Sequence, residues 1–436
     1  MNFTEEQKKV ITTRGGNLLV SASAGSGKTT VMIERILSLL LDDGVSLENM
    51  VICTFTRAAA ADMREKLQTV LMEKANENNE IAQRQLALLP TAEISTLHSW
   101  CQRLIKMYFY AIGADPAFEL LDENEALSLK NEAVGEAIAD EMGNPSEDFS
   151  LLYEIMESRR SDAPLRKLIT KIYEFSRAQE NPDEFLSVCA FEGAMHPRKC
   201  KSAMEEELKL INERYLVRAK ELLEETSRAG FTRNEVPLTN FCEFLEGNIN
   251  AGSSTPTGRI PPDMDELNEK FKKLKADYAN ATKGFDEFNF LPDPKLNLNL
   301  VKVLVDLTKS MAKKYEEKKK KKAKLDYSDL EHLAKKLLQS DTMAEISQKY
   351  KYLFVDEYQD INPLQESMIA LLKDVTVFAV GDVKQSIYAF RMCEPGIFLK
   401  KYNGYRHYGF KNLSLLTKTS ARLTRFWRLL TKFSTS

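Results

Sequence analysis

Short apolar runs alternate with stretches of helical periodicity in the first hundred residues and again after residue 350. The runs LLV (18–20), MVIC (50–53), YLFV (352–355) and VTVFAV (375–380) are typical of buried strands. The segments that follow them, such as VMIERILSLLL after Thr30, repeat apolar residues at helical spacing. This alternation predicts an α/β fold with a parallel sheet, whose ligands bind at the carboxyl ends of the strands.

The pattern between residues 112 and 324 is different, because charged and helix-prone residues predominate and strand-like runs are few. MEEELKLINERYLVRAKELLEE (204–225) has helical periodicity, and 250–264 is rich in Gly, Ser, Thr and Pro, which predicts a loop. We interpret this part as an inserted, mostly helical domain. It ends in KKYEEKKKKKAK (313–324), with eight lysines in twelve positions. Such a run is usually a solvated helix face, and contact with phosphates is the alternative.

Composition and charge narrow the class of protein. The 436 residues suffice for two or three domains, and 43% hydrophobic with 29% charged residues is typical of a globular protein. With a net charge of −3, nucleic acid would have to bind a local basic surface. The six cysteines include no C-x-x-C pair, which argues against a zinc site or disulfide framework and favours a reducing cytoplasm. Neither a signal peptide nor an apolar run of roughly 18 residues, as a membrane span needs, is evident.

The strongest chemical signal is NLLVSASAGSGKTT, in which a strand, a glycine-rich loop and a helix follow one another. It matches the phosphate-loop pattern except at Ala22, where the general pattern has glycine. Gly25 and Gly27 allow main-chain N–H groups to point at phosphate oxygens. Lys28 supplies a charge for the β- and γ-phosphates, and the Thr29 hydroxyl can bind Mg²⁺. A glycine turn that merely joins strand to helix is the alternative, but the Lys-Thr pair in frame favours nucleotide binding.

The N-terminal sequence FTEEQ allows two interpretations. Thr4 and Gln7 have the spacing of a helix capping box. The Gln7 amide can also donate and accept at once, which matches the N6 and N7 edge of adenine. Its position just before the phosphate loop leaves both interpretations open.

Two carboxylates, Asp356 and Glu357, follow directly after the apolar run YLFV. Hydrolysis of Mg²⁺–ATP needs such a pair. Asp356 can hold the metal, directly or through water, and Glu357 can orient and deprotonate the attacking water. An acidic loop at a strand end is the alternative.

The strand at 375–380 leads into GDVKQSIYAFR, where Gln385 is placed to bond a γ-phosphate. Tyr388, Phe390 and Arg391 bring two aromatic rings and a cation onto one short segment. Such a segment suits single-stranded bases and their phosphates. Packing of the two rings in the core is the alternative.

Taken together, these motifs resemble those of superfamily 1 DNA helicases of the UvrD/RecB type, over roughly residues 1–405. FTEEQ is similar to the adenine-reading motif, AGSGKT to motif I, TFTRAAAADM to motif Ia, STLHSW to the DNA-contacting motif after it, VDEYQD to motif II and GDVKQSIYAFR to motif III. Arg57 stands where the family usually has asparagine. The wording VDEYQDINPLQE, the long insert and LDYSDL (325–330) are most similar to the AddA branch, the helicase/nuclease subunits of bacterial recombination complexes.

The resemblance implies a role for each matching residue. ATP would be bound by Gln7, Ala22, Ser23, Ala24, Gly25, Ser26, Gly27, Lys28, Thr29 and Thr30. Catalysis would depend on Lys28, Asp356, Glu357 and Gln385. Mg²⁺ would be held by Thr29 and Asp356. Single-stranded DNA would lie along Phe55, Thr56, Arg57, His98, Tyr388, Phe390 and Arg391.

The resemblance also implies an architecture and a mechanism. Residues 1–111 and 325–405 would form a RecA-like ATP-binding core (domain 1A), interrupted by a helical domain (1B) at 112–324. ATP hydrolysis would drive 3′→5′ translocation along single-stranded DNA in the cytoplasm. In an intact helicase/nuclease of double-strand break repair, the partners would be single- and double-stranded DNA and an AddB-like subunit, with no membrane involved.

Family helicases continue with a second RecA-like domain, motifs IV to VI and, in the AddA branch, a nuclease domain, none of which this sequence matches. We therefore expect residues 1–436 to bind ATP weakly and to hydrolyse it hardly at all. Residues 406–436 are predicted to be irregular. The tail LLTKTSARLTRFWRLLTKFSTS has no acidic residue, and codons can be chosen so that an overlapping frame spells NFRSTDEILEIINKVFY. From about Asn412 we expect a frameshifted, poorly packed tail.

A function of another class is a non-catalytic, ATP-gated module that binds single-stranded DNA. Motifs IV to VI would distinguish it from a helicase in an intact protein. A GTPase should contain N-K-x-D and an ABC ATPase a signature similar to L-S-G-G-Q, and the sequence contains neither.

Overall fold

Two compact units make up the structure of the protein. A computed structural model describes residues 3–22, 27–157, 161–189, 197–230, 232–247, 265–282, 294–382, 396–398, 400–402 and 413–416. The first unit comprises Met1–Pro145, Met156–Phe185 and Leu307–Ser436, and the second Ser146–Ile155 and Leu186–Asp306.

Parallel strands form the centre of the first unit. The strands are β1 (Leu18–Ala22), β2 (Met50–Thr54), β3 (Glu93–Thr96), β4 (Glu119–Leu120), β5 (Lys324–Leu325), β6 (Tyr352–Val355), β7 (Thr376–Gly381) and β8 (Leu413–Leu416). Six of them form one sheet in the order β3-β2-β6-β7-β1-β8, in which all neighbours are parallel. Strands β4 and β5 pair separately. The parallel α/β core with a mostly helical insert, predicted from the sequence, is confirmed.

Helices cover the sheet and build the second unit. They are α1 (Glu5–Thr12), α2 (Lys28–Leu41), α3 (Arg57–Asn76), α4 (Glu80–Leu88), α5 (Leu97–Met107), α6 (Phe109–Ile112), α7 (Glu123–Met142), α8 (Glu147–Met156), α9 (Ala163–Arg177), α10 (Pro182–Glu184), α11 (Pro197–Arg228), α12 (Thr232–Leu245), α13 (Asp265–Thr282), α14 (Pro294–Lys321), α15 (Tyr327–Leu338), α16 (Met343–Lys349) and α17 (Pro363–Leu371). Short 3₁₀ turns lie at Leu47–Asn49, Leu89–Thr91 and Tyr358–Asp360, and a π turn at Phe185–Cys189. Among these helices, none has the length and apolar character that spanning a bilayer requires.

The sheet is covered by an apolar cluster on each face. In β6, Leu353 and Val355 pack with Trp100 of α5, whereas Phe354 points the other way and packs in the cluster that contains Ile36 of α2. Successive residues of a strand point to opposite faces. A strand buried on both sides therefore needs an apolar residue at every position, which explains the unbroken run YLFV.

Capping side chains define the starts of three helices near the carboxyl ends of the strands. Thr4 and Gln7 form a capping box on α1, which confirms the local prediction for FTEEQ. Asp326 and Asp329 form a second capping box on α15, and Asn362 begins α17 in the same way. Each such cap satisfies main-chain N–H groups and is worth about 1 kcal/mol.

The compact units divide the chain at positions other than the predicted domain limits at 112 and 324. Helices α7 and α9 and the last turns of α14 belong to the first unit. Contacts join these helices: Lys318 Nζ lies 2.7 Å from Glu136 Oε1, and the rings of Tyr173 and Tyr315 meet edge to face at 5.9 Å. Helical periodicity predicts a helix but does not identify its packing partner, so the predicted insert is wider than the second unit.

The second unit has an apolar core of its own. Helices α11, α12 and α13 bury Tyr215, Phe241 and Phe271 in one cluster. The ring of Tyr278 packs edge-on against Tyr215 at 5.4 Å and Phe241 at 5.5 Å. Aromatic side chains bury a large area each, so three helices suffice for a folded body.

Carboxylates neutralise much of the lysine run at 313–324. The ion pairs are Lys314–Asp140 (2.6 Å), Lys318–Glu136 (2.7 Å), Lys320–Glu316 (2.7 Å) and Lys324–Glu125 (2.7 Å). Lys319 is 3% exposed and contacts both Asp326 and Asp329. Phosphates would have to displace these partners, so the structure favours an ion-paired helix face over a phosphate-binding one.

The start of the C-terminal tail contradicts one expectation. Residues predicted to be irregular include strand β8, which pairs in parallel with β1 in the register Val20↔Ser414 and Ser21↔Leu415. An apolar segment beside an open edge of the sheet satisfies its main chain by pairing, and the sequence LSLL allows this. Residues 417–436 lie outside the described part, so the frameshift expectation is not tested there.

His332 of α15 is a partly buried histidine that the fold holds neutral. Its Nε2 lies 2.9 Å from the main-chain oxygen of Arg177, to which the N–H donates. Burial and the charge of Arg177 lower the pKa of His332 from 6.5 to about 4. Below pH 6.5 the unfolded chain binds a proton that the folded chain excludes, so stability present above pH 6.5 is lost as the pH falls toward 4.

Acidification should therefore destabilise the wild-type chain more than a His332→Gln variant. Between pH 7 and pH 5.5 we expect the wild type to lose about 1 kcal/mol more unfolding free energy than the variant. Urea denaturation at the two pH values measures this difference, in which all other titrating groups cancel. Equal losses in the two proteins would show that His332 ionises freely in the folded state.

Candidate nucleotide site and adjoining cavity

Four adjacent strands bring the sequence motifs to one edge of the sheet. The order β2-β6-β7-β1 places their carboxyl ends side by side, because all four are parallel. Strand β1 leads into the phosphate loop, β2 into TFTR, β6 into Asp356 and Glu357, and β7 into Asp382. This is the edge at which open α/β sheets bind their ligands.

The loop lysine and the motif II glutamate are in direct contact. Lys28 Nζ lies 3.0 Å from Glu357 Oε2, and the Lys28 side chain is 11% exposed. Helix α2 begins at Lys28, after Gly27 in the left-handed region with φ 81°. Glycine adopts this conformation without strain, and it directs the main chain from the loop into the helix. Two residues predicted from distant parts of the sequence thus form one site.

Gln7 lies beside the phosphate loop, as an adenine-reading residue would. A β-carbon at Gly27 would lie 3.4 Å from Gln7 Nε2. Arg35 of α2 holds α1 in place, since its Nη1 donates to the main-chain oxygens of Val10 and Thr13, each at 2.6 Å. The capping and the adenine-reading interpretations of Gln7 are therefore compatible in one structure.

The carboxylate pair is electrostatically unfavourable without a cation. Burial and the neighbouring Glu357 raise the pKa of Asp356 from 3.8 to about 6. The Glu357 N–H donates to Asp356 Oδ1 at 3.0 Å, which opposes this rise only in part. Glu357 also has φ 49° and ψ 45°, a left-handed conformation that residues with a β-carbon rarely adopt. Such strain persists only where the surrounding structure enforces it, often at functional sites.

Magnesium fits this donor set. Mg²⁺ takes oxygen ligands and is usually bound by one or two carboxylates together with phosphate oxygens and water. Asp356 supplies a carboxylate, and Thr29 supplies a hydroxyl in the first turn of α2. A bound cation would offset the burial and repulsion that raise the pKa of Asp356.

A cavity of about 720 Å³ lies beside these carboxylates in the first unit. Its lining joins predicted hydrolytic residues with predicted DNA contacts: Phe55, Thr56, Arg57, His98, Asp356 and Glu357. A ligand in the cavity would therefore be within reach of the residues that act on the nucleotide.

His98 is held in the cavity wall by a hydrogen-bonded cluster. Its Nε2 lies 3.0 Å from Glu331 Oε1, and its ring meets Tyr327 edge to face at 5.2 Å. Gln365 Nε2 donates to the same Glu331 oxygen at 2.6 Å. Burial by itself would raise the pKa of Glu331, but hydrogen bonds from His98, Gln365 and Asn362 bring it below its ordinary value. The cluster fixes the orientation of the His98 ring.

Sequence reasoning missed several residues of this region. Tyr327 is 42% exposed and lines the cavity, and Arg177 lines it as well and donates through Nε to Ser328 Oγ at 2.9 Å. The motif LDYSDL contained the signal for Tyr327, since an aromatic directly after a helix cap is placed at the start of the helix. Glu331 had no such signal, because a glutamate in an amphipathic helix is normally solvated.

Some predicted site residues lie outside the described part of the chain. They are Ser23, Ala24, Gly25, Ser26, Gln385, Tyr388, Phe390 and Arg391. Ala22 is the buried last residue of β1, and Thr29 and Thr30 lie half-buried in the first turn of α2. The roles of all these residues stay predictions.

The fold and the site define the chain as a phosphate-loop α/β protein with a carboxylate pair facing the loop lysine. The family model of the UvrD/REP helicase N-terminal domain matches residues 3–406. The chain therefore belongs to this helicase family.

Proteins named as the AddA-type subunits of ATP-dependent helicase/nucleases are similar to most of the chain, which confirms the resemblance to the AddA branch. The one from Carboxydothermus hydrogenoformans is 35% identical over 438 residues, which cover 93% of this chain and 37% of that protein. Those from Syntrophomonas wolfei and Alkaliphilus metalliredigens are 33% and 34% identical, and each match covers 93% of this chain. The chain spans between 35% and 37% of the length of these three relatives.

Proposed function

We propose that residues 1–436 form the N-terminal motor part of an ATP-dependent 3′→5′ DNA helicase/nuclease that acts in double-strand break repair and recombination. The observation that carries the proposal is the contact of Lys28 with Glu357, 3.0 Å long, at the edge of a cavity lined by predicted DNA contacts. The first compact unit supplies the RecA-like core (1A), and the second supplies much of the inserted domain (1B).

ATP binding begins with an exchange of partners at Lys28. The lysine pairs with Glu357 in this structure, and the β- and γ-phosphates of ATP compete for the same ammonium group. Gln7 reads the adenine edge, while Thr29 and Asp356 hold Mg²⁺. Once Lys28 has turned to the phosphates, Glu357 is released to orient and deprotonate the attacking water. This order of events couples phosphate binding to the readiness of the catalytic base.

Single-stranded DNA occupies the cavity beside the carboxylates. Phe55 stacks on a base, while Arg57 and His98 contact the backbone and neighbouring bases. The predicted contacts at Tyr388, Phe390 and Arg391 continue this path. Closure around ATP then moves the strand past the stacking rings, which gives translocation.

The partners follow from the names of the relatives. Those proteins are called helicase/nuclease subunits, so we assign to this chain single- and double-stranded DNA and an AddB-like protein as partners in the cytoplasm. DNA-stimulated phosphate release by the intact protein distinguishes this function from an ATP-gated binding module without catalysis.

Substitution of Phe55 by alanine tests the DNA path. Loss of one stacked base should weaken binding of single-stranded DNA by about 1–3 kcal/mol, with ATP affinity unchanged. Fluorescence anisotropy with a labelled oligo(dT) and titration with a fluorescent ATP analogue measure the two affinities. Phe109→Ala is the matched control, because Phe109 is 36% exposed on α6 and does not line the cavity. If DNA affinity is retained, or if both ligands weaken equally, Phe55 serves packing and the path is wrong.

A further inference from the structure

Gln359 lies where the motif II segment meets the end of β7. The residue is 2% exposed, and both ends of its amide are used. Nε2 donates to Glu357 Oε2 at 2.8 Å and to Asp360 Oδ2 at 3.2 Å, and Oε1 accepts the Asp382 N–H at 2.9 Å. One buried side chain therefore links the catalytic carboxylate to the main chain that leaves β7.

The link shares an atom with the nucleotide site. Glu357 Oε2 accepts from Lys28 Nζ at 3.0 Å as well as from the Gln359 amide. When phosphates draw Lys28 away, the amide remains on that oxygen, so any movement of the carboxylate pulls on Gln359. The left-handed backbone at Glu357 provides a conformation from which such a movement can relax.

The other end of the link is tightly packed against β7. A β-carbon on Gly381 would lie 2.5 Å from Gln359 Oε1 and 2.8 Å from Phe398 Cε2, so glycine is required there by space. Gly381 pairs with Ser21 in β1, directly before the phosphate loop. Close packing of this kind transmits a displacement instead of absorbing it.

A second buried glutamine shows what a purely structural role looks like. Gln85 of α4 is 3% exposed, and its Oε1 accepts the Leu47 N–H at 2.9 Å. It belongs to neither the nucleotide site nor the cavity lining. Gln359 differs because its amide bonds a residue that itself contacts the loop lysine.

We propose that Gln359 is a positioning residue that transmits occupancy of the nucleotide site to the end of β7 and thereby links ATP binding to single-stranded DNA binding. The inference rests on the proposed function, since it requires that the chain bind both ligands. Leucine at this position would fill the volume but would leave Glu357 and the Asp382 N–H unconnected. Glutamate would keep the shape but place a second carboxylate against Glu357.

The linkage is measured on the 436-residue chain by anisotropy of labelled oligo(dT), with and without a non-hydrolysable ATP analogue and Mg²⁺. Calorimetry gives the affinity for the analogue alone. In the wild type the analogue should change DNA affinity by a factor in the usual range of about 5–150. In Gln359→Leu this factor should fall below about twofold, while each ligand alone binds nearly as in the wild type. Gln85→Leu should keep the wild-type factor although it also loses a buried hydrogen bond.

Three results would overturn the inference: a wild-type factor near one, an undiminished factor in Gln359→Leu, or an equal loss of linkage in Gln85→Leu. Gln359→Glu and Gly381→Ala attack the same link from its two ends, so they decide the matter if Gln359→Leu does not fold. A wild-type chain that binds no ATP analogue or no DNA contradicts the proposed function instead, so the two failures are distinguishable.

Discussion

The Lys28→Ala protein should bind ATP roughly 10- to 150-fold more weakly than the wild type while keeping its fold. The substitution removes a charge-assisted contact with the phosphates that is worth roughly 1.5–3 kcal/mol. Part of this energy is already spent in the free protein, because Lys28 must leave Glu357 before it binds phosphate. The carboxylate left behind is 34% exposed and can be hydrated, so the fold should tolerate the change.

A second consequence concerns Asp356. The charge of Lys28 lowers the pKa of this buried carboxyl, although burial and Glu357 outweigh it and set the value at about 6. Without the lysine the pKa of Asp356 should rise further, so a larger fraction is protonated at neutral pH and Mg²⁺ binds less well. The affinity for Mg²⁺–ATP should therefore fall more than the affinity for ATP without the metal.

Calorimetric titration with ATP, with and without Mg²⁺, measures both effects, and circular dichroism checks the fold. Lys66→Ala is the matched control, because Lys66 forms an exposed ion pair with Asp62 on α3, away from the site. Unchanged ATP affinity in a folded Lys28→Ala protein would refute the nucleotide site.

Replacement of Phe354 by alanine should lower the free energy of unfolding of the first unit by about 3–5 kcal/mol. Phe354 is fully buried in β6, between β2 and β7, and its ring centroid lies 5.4 Å from that of Phe378. The neighbouring strands are held by their ladder hydrogen bonds and cannot collapse into the space. The loss approaches the total stability of a typical domain, which is about 5–15 kcal/mol.

Urea denaturation followed by circular dichroism measures this loss. The second unit has a separate core around Phe241 and Phe271, so any transition that belongs to it should be unaffected. Phe175→Ala is the control, because Phe175 is 43% exposed. A loss below about 1 kcal/mol in Phe354→Ala would mean that the two faces of the sheet do not pack as described.

The sequence by itself determined the elements whose physics is local. The strands, the turn at Gly27 and the capping box of Thr4 and Gln7 depend on residues a few positions apart, so their patterns are visible in the chain. The parallel sheet followed from the strand–helix alternation, and Asp356 and Glu357 followed from their place after an apolar run. The family resemblance added the expected identity of the ligands.

Tertiary structure decided every feature that depends on residues far apart in the chain. Lys28 and Glu357 are 329 positions apart, and their contact follows only from the strand order. Glu331 resembles a solvated helix residue until His98 and α17 bury it, and the lysines of α14 look available until acidic side chains of α7 neutralise two of them, Lys314 and Lys318. Periodicity reports which face of a helix is apolar, but the partner of that face, and the charge it carries, are set by how the whole chain packs.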